Sequence, residues 1–284
     1  MTGKTYNLDN RLILPKDTAV VSVLIGDDTA LGYGSRAAQV RRWPSTDTTL
    51  TYGKTWDKWM AARDTATDDG TALTPITRGM GHAATDVGLE YPIAVSMERR
   101  YAGAEGPGTP DCVVLKYATP SAVATPEGTA AKSWHPTVTA SALDVFRDGY
   151  LTPALAYLRA NYKEVVAERI YVSLGATDAT LAGSAEAFAA NLAAMLKEVQ
   201  IAFGTSAPIT LIVPPNLDYT THPTIALVRK AWAILELDYV DADLLERGGL
   251  AAGATALDEQ LSGQGIIDLG ALIDLDPVQV RSIR

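Results

Sequence analysis

Five short apolar runs, separated by helical patterns, constrain the fold of this chain more than any other feature. The runs are TAVVSVLI (18–25), DCVVLKY (111–117), RIYVSL (169–174), PITLIV (208–213) and LDYVDA (237–242). Each is nearly continuously apolar or rich in β-branched residues, as strands buried on both faces are. Helical patterns over 88–101, 142–168, 184–204 and 224–236 lie between them. This alternation predicts an α/β fold with about five parallel strands joined by right-handed crossovers.

The length and composition suit one large domain. The chain has 284 residues, of which 47% are hydrophobic and 20% charged, so it can bury a sizeable core. No internal repeat or linker interrupts the pattern. We therefore predict a single α/β domain over 18–284 and an N-terminal arm over 1–17. The arm either docks on a neighbouring subunit or packs as a strand on its own domain.

Two polar stretches follow the carboxyl ends of predicted strands. Residues 33–80 carry several aromatic side chains and are predicted to form a long loop insertion, with a hairpin at TLTYGKTW (49–56). A second irregular stretch covers 118–139. In open α/β sheets, loops at this edge build the ligand crevice.

Composition excludes several classes of protein. The net charge is −9, and the 24 Lys and Arg residues form no long basic run, which argues against a nucleic-acid partner. No apolar stretch is long enough to cross a membrane. The start, MTGKTYNLDNRLILPKD, lacks the features of a signal peptide, so we expect synthesis in the cytoplasm. The one cysteine, Cys112, excludes a disulfide framework and is predicted to be buried.

The first apolar run ends in the turn GDDTALG (26–32). A reactive group would sit at this point of an α/β sheet, yet the turn carries two adjacent acids, Asp27 and Asp28. Further motifs follow in order along the chain: GLEYPIA (88–94), VVLKYATPSA (113–122), SWHP (133–136), SLGATDA (173–179) and LDEQLSGQGIIDLG (257–270).

The order and spacing of these motifs resemble the SGNH (GDSL-type) hydrolases. The similarity is to the carbohydrate O-acetylesterase branch, which includes sialate O-acetylesterase-like domains, and it spans roughly residues 18–275. The resemblance implies a three-layer sandwich with long loops at the carboxyl edge of the sheet. It also implies a nucleophilic Ser in the first turn, a His base in the last motif and oxyanion donors in the turns between.

The nucleophile and base positions of the resemblance are occupied by other residues. The Ser position falls on Asp28, and the neighbouring Asn position falls on Thr29. The His position falls on Gln260, which cannot accept a proton at neutral pH. The Asp that would orient the His is replaced by Leu257, with Asp258 one residue away.

The oxyanion positions are altered as well. The turn after the second run reads Ala118-Thr119-Pro120, and a proline has no N–H to donate. The third motif has Thr177 where relatives carry a polar amide or acid, although Asp178 remains. Several coincident losses predict a catalytically inactive site.

Two alternatives for the acidic residues stay open. Asp28 could itself act as a nucleophile, since carboxylates form covalent intermediates. Asp28, Asp178 and Asp258 could also converge on Mg²⁺ or Ca²⁺, or simply cap turns and face solvent. We predict that the protein uses no cofactor.

Aromatic residues of the long loops have two interpretations as well. Either they fill the core beneath the loops, or they form a platform for a sugar or a protein. The ligand-binding candidates are Trp43, Trp56, Trp59, Trp134 and the neighbouring His135.

These observations lead to one expected function and two alternatives. We expect an inactive SGNH-like protein that is a structural or recognition component of a phage virion, in the head decoration or the tail. Its partners would be copies of itself, other virion subunits and a cell-surface glycan. The alternatives are an active carbohydrate O-acetylesterase with a displaced catalytic site and a metal-dependent hydrolase that uses the Asp cluster.

Overall fold

A computed structural model describes most of the predicted domain. The described residues are 17–32, 34–35, 49–57, 70–77, 80, 86–101, 109–203, 207–214 and 219–241. Residues 1–16 of the predicted arm (1–17) and the last motif over 257–270 lie outside them, so both stay predictions.

The described strands form one large sheet and one short ribbon. The strands are β1 Thr18–Gly26, β2 Gly34–Ser35, β3 Thr49–Trp56, β4 Leu73–Thr77, β5 Asp86–Val87, β6 Asp111–Ala118, β7 Glu164–Ser173, β8 Ile209–Val213 and β9 Asp238–Asp241. The large sheet has the order β4-β3-β6-β1-β7-β8-β9, and β2 pairs with β5 apart from it. Every neighbouring pair in the large sheet is parallel except β3–β4. The five predicted strands are β1, β6, β7, β8 and β9, and their parallel arrangement is confirmed.

Helices cover both faces of the sheet. They are α1 Asp28–Leu31, α2 Glu90–Tyr101, α3 Ala142–Asp144, a π-helical segment Val145–Leu151, α4 Thr152–Asn161, α5 Ala182–Phe203, α6 Ile225–Val228 and α7 Ala231–Ile234. On β6, Lys116 bonds to Glu90 of α2, whereas Tyr117 packs against Phe146 of the π segment. Adjacent strand residues point to opposite faces, so α2 and the π segment lie on opposite sides. The result is the predicted three-layer sandwich.

The insertion over 33–80 is not only a loop, because it adds β3 and β4 to the sheet. The predicted hairpin at 49–56 is wrong, since this segment is a single strand. Its glycine, Gly53, lies at an irregularity in the β3–β4 pairing and not at a turn. The N–H groups of Tyr52 and Gly53 both donate to Oε1 of Glu98, each at 2.7 Å. A Cβ on Gly53 would lie 2.8 Å from the Cβ of Leu50 and 3.2 Å from that of Ala94, which explains the glycine.

Two predicted helices differ from the observed ones, one because it ends earlier and the other because it is divided. The helix predicted over 142–168 ends at Asn161, and 164–168 begins β7, where the β-branched pair Val165 and Val166 favours a strand. The helix predicted over 224–236 is divided into the short helices α6 and α7.

The centre of the core is β1, whose nine residues are all buried. Cys112 on the neighbouring β6 is fully buried, as predicted. Among the described residues, no helix combines the length and apolar character that crossing a bilayer requires.

Candidate functional site

The turn after β1 is held tightly against β7. The Asp27 N–H donates to the Ser173 carbonyl at 2.8 Å. Gly26 has φ +156°, and a Cβ there would lie 2.0 Å from the same carbonyl oxygen, so only glycine fits. Because of this contact, the two acids leave the sheet in a fixed direction at its carboxyl edge.

Asp27 is a buried structural acid. Its Oδ1 caps α1 by accepting the Thr29 N–H at 3.0 Å, and it accepts the Ser173 hydroxyl at 3.1 Å. Burial, reinforced by repulsion from Asp28, raises the pKa of Asp27 to about 8, although these two hydrogen bonds act in the opposite direction. At neutral pH Asp27 is therefore mostly protonated and neutral.

Asp28 occupies the position that the family resemblance assigns to the nucleophile. It is the first residue of α1 and is partly exposed. Its Oδ2 accepts the main-chain N–H of Ser121 at 2.9 Å. The carboxylate thus joins the loop after β1 to the loop after β6, which we call the crevice loop (residues 119–141).

Ser121 is the residue that sequence reasoning missed. The family resemblance places an oxyanion donor at Ala118-Thr119-Pro120, but the Thr119 N–H already donates to the Gly26 carbonyl at 3.0 Å. Ser121 has φ +53°, a left-handed conformation that serine seldom adopts, and its N–H points to Asp28. The only hint of this contact in the sequence was that the family resemblance places a turn of small residues after β6.

Asp178 anchors the other side of the crevice loop. The Ala124 N–H donates to both carboxylate oxygens, at 3.2 Å to Oδ1 and 3.1 Å to Oδ2. The Ser184 hydroxyl also donates to Oδ1, at 2.7 Å. Burial raises the pKa of Asp178 to about 6, with these hydrogen bonds opposing the shift. The neighbouring Thr177 is partly exposed, and its carbonyl accepts the N–H and the hydroxyl of Thr180.

The structure gives the metal hypothesis no support. Asp28 and Asp178 bind different residues of the crevice loop, Ser121 and Ala124. Within the described ranges, no three His, Cys, Asp or Glu side chains are grouped so that they could hold a metal ion. Asp258 and Gln260 lie outside the described residues.

Two tryptophans proposed as ligand-binding residues are core residues, so that prediction is wrong for them. Trp56 is 2% exposed and Trp134 is 0% exposed. Trp134 packs at 5.5 Å from Phe146, and Trp56 at 5.1 Å from Tyr157, measured between ring centroids. Trp56 is the last residue of β3 and Trp134 belongs to the crevice loop, and because both side chains are buried neither ring can stack on a sugar. Trp43 and Trp59 lie outside the described residues.

His135 is only partly buried and makes local contacts. Its Nδ1 lies 2.8 Å from the Thr137 hydroxyl, and its main-chain N–H donates to the Ser133 hydroxyl at 3.2 Å. These contacts hold the ring within the crevice loop. Its assignment as a ligand-binding residue stays a prediction.

Ser121→Gly should stabilise the protein by up to about 1 kcal/mol, because glycine removes the strain of the left-handed conformation and keeps the N–H. Ala140→Gly is the matched control, since Ala140 has φ +54° and lies at the far end of the same loop. Urea unfolding measures both. A loss of stability in Ser121→Gly alone would show that the serine side chain, and not its conformation, matters at this position.

Solved structures share this fold at low sequence identity. NanS superimposes with a TM-score of 0.67 at 12% identity, over 96% of this chain and 100% of its own. A protein from Arabidopsis thaliana superimposes with a TM-score of 0.61 at 14% identity, over 93% and 98%. A carbohydrate acetylesterase from Xanthomonas citri gives 0.55 at 14% identity, over 90% of this chain and 55% of that longer one.

The chain therefore has the SGNH-hydrolase-like fold that its motifs predicted. The carbohydrate acetylesterase from Xanthomonas citri is one solved structure that has a fold of this type. No family model matches the sequence, and a search of curated proteins gives no match.

Proposed function

We propose that this protein is a non-catalytic member of the SGNH-fold class that serves as a structural or recognition module. The observation that carries the proposal is the hydrogen bond from the Ser121 N–H to the Asp28 carboxylate, which links the turn where the family resemblance expects oxyanion donors to the residue at the nucleophile position.

Electrostatics explain why this contact opposes ester hydrolysis. Oxyanion donors accelerate acyl transfer because they meet a negative charge that appears only in the transition state. Here the donor already faces a permanent carboxylate in the ground state. Attack of Asp28 on an acyl ester would also produce a mixed anhydride, which is less stable than the ester it replaces.

The buried acids Asp178 and Asp27 act as structural anchors. Asp178 is fully buried and accepts hydrogen bonds from Ala124 and Ser184, so it holds two segments together. Asp27 does the same for α1 and β7. Polar groups that are buried and fully engaged stabilise one arrangement of a surface and are poorly placed to bind a substrate.

The test is hydrolysis of 4-nitrophenyl acetate. Wild type, Asp28→Ala and the control His135→Ala should all show the same slow rate, set by unspecific surface reaction. Wild-type turnover that Asp28→Ala abolishes and His135→Ala preserves would overturn the proposal, and it would favour an active carbohydrate O-acetylesterase instead.

The proposal includes a place in a larger assembly. We propose a phage particle in which copies of this chain or other virion subunits are the partners and a cell-surface glycan is a further ligand. Its support is the analogy with SGNH domains in phage tail proteins and the shared fold with a carbohydrate acetylesterase. Mass spectrometry of purified particles tests the location, and a glycan array tests the ligand.

A further inference from the structure

We propose that the outer face of α5 is an interface between two copies of this chain, in which the two α5 helices lie antiparallel across a two-fold axis. This inference rests on the proposed function, which includes copies of this chain among the partners. It deepens that function by naming the surface through which two copies associate.

Exposed apolar side chains concentrate on the layer of helices that contains α5. Val145 of the π segment, Ile201 of α5, Leu227 of α6 and Ile234 of α7 are 44–65% exposed. Because α5 packs against the π segment, α6 and α7, these elements form one layer, on the side of the sheet opposite α2. Among its described residues, α2 carries no exposed large apolar side chain. Exposed apolar surface of this kind marks a contact with another protein.

The outer face of α5 has the spacing of a helix that packs along another helix. We call it the α5 seam, and its members are Gly183, Ala187, Ala190, Ala194, Lys197 and Ile201. They recur at intervals of 4, 3, 4, 3 and 4 residues, and all are exposed except Ala194, which is partly buried. Leu192 and Val199 are fully buried on the other side of the helix, so the seam faces away from the core. The solvent face of a surface helix is normally rich in charge, whereas the seam contains one charged residue.

The α5 seam is complementary in size to an antiparallel copy of itself. Its spacing is the same when counted from either end, so a two-fold axis at the middle of α5 pairs Ile201 of one copy with Gly183 of the other. The same axis pairs Ala190 with Ala194 at the centre, where small side chains let the helix axes approach closely. Among the described residues beyond its own helical turn, the atom nearest to a Cβ built on Gly183 is a carboxylate oxygen of the exposed Glu127, at 3.6 Å. The largest apolar side chain of the seam therefore meets its smallest residue at an open place.

The charges on this face are complementary in the same arrangement. Glu186 lies on the flank of the seam near the beginning of α5, and Lys197 lies near its end. Both are exposed, and neither is among the described residues that form ion pairs. Antiparallel pairing places Glu186 of each copy beside Lys197 of the other, which gives two intermolecular ion pairs. Parallel pairing in register would place like charges together, so the charges select the antiparallel orientation.

Sedimentation velocity at increasing protein concentration tests the interface. We expect wild type to form a dimer. Glu186→Lys and Lys197→Glu should each raise the dissociation constant about tenfold, because the two-fold axis makes each substitution create two repulsive contacts. The double variant with both substitutions should return to within about threefold of wild type, since the charges are exchanged but remain complementary. Arg99→Glu reverses an exposed charge on α2, on the opposite layer, and should leave the dissociation constant unchanged.

Zero-length cross-linking identifies the pairing directly. A carbodiimide joins a carboxylate to an amine that touches it, and peptide mapping should find an amide between Glu186 and Lys197. On one helix these residues are eleven positions and about 16 Å apart, so this amide forms only between two copies. Ala190→Arg places an arginine from each copy at the centre of the contact and should abolish the cross-link, with circular dichroism confirming that the variant folds.

Two results would overturn the inference. One is a wild type that stays monomeric at every concentration tested. The other is a dimer that Lys197→Glu and Ala190→Arg do not weaken, which would place the interface elsewhere. Both are independent of ester hydrolysis, because a monomer without esterase activity contradicts only this inference, whereas a dimer with Asp28-dependent turnover contradicts only the proposed absence of catalysis.

Discussion

Lys116→Met should cost about 3–5 kcal/mol of unfolding free energy. Lys116 and Glu90 form an ion pair at 2.8 Å whose side chains are 2% and 0% exposed. Lys116 Nζ also donates to the carbonyls of Leu31 at 2.9 Å and Met80 at 3.2 Å. The substitution leaves the Glu90 carboxylate buried without its cation and frees two carbonyl acceptors. Guanidinium unfolding measures the loss.

A second ion pair of the same sheet provides the control. Lys54 bonds to Asp111 at 2.7 Å, but these side chains are 31% and 19% exposed. Lys54→Met should therefore cost no more than about 1 kcal/mol. Adding Glu90→Gln to Lys116→Met should recover part of the loss, since it removes the buried charge. Equal losses in the two lysine variants would contradict the burial argument.

Asp27→Asn should remove a pH dependence of stability. The pKa of Asp27 is near 4 in the unfolded chain and is raised to about 8 by folding. Between these values the folded state holds a proton that the unfolded state has lost, so unfolding free energy falls as pH rises, by up to about 1.4 kcal/mol per pH unit. Asparagine resembles the protonated acid and keeps the acceptor for Thr29 and Ser173, so the variant should match or exceed wild type at pH 8.

Between pH 6 and pH 8 the contribution of Asp27 to the pH dependence of stability can be measured separately from that of Asp178. Asp178 has a raised pKa of about 6 and changes stability in the same direction, but mainly below that pH. Urea unfolding across this window should give a flatter profile for Asp27→Asn than for wild type. Glu186→Gln removes an exposed carboxylate on α5 and should leave the slope unchanged. Parallel profiles for wild type and Asp27→Asn would show that Asp27 is ionised in the folded state.

The sequence predicted the parallel part of the sheet well, because buried strands are continuous apolar runs that need no knowledge of their neighbours. It did not predict β3, since Gly53 was taken as a turn residue. In the structure this glycine lies at an irregularity of the strand, and its N–H donates to the side chain of Glu98, which is 45 residues away in the sequence. A contact at that separation leaves no local pattern.

The sequence likewise predicted one part of the candidate site and not another. The motifs placed Asp28 and Asp178 at the carboxyl edge of the sheet, because that follows from where strands end. The contact between Asp28 and Ser121 could not be predicted, since it depends on a positive φ that serine seldom adopts. Nor could the burial of Trp56 and Trp134 be predicted, because a sequence does not show whether a segment turns its aromatic side chains toward the core or toward solvent.

The antiparallel pair β3–β4 has a consequence for association. In the described part of the chain, β4 is the last strand on its side of the sheet, and it carries an exposed proline, Pro75. Proline lacks the donor that an added strand would need, so it interrupts the ladder along which sheets of different molecules join. At high protein concentration this edge would therefore disfavour strand-to-strand association and fibrous aggregation.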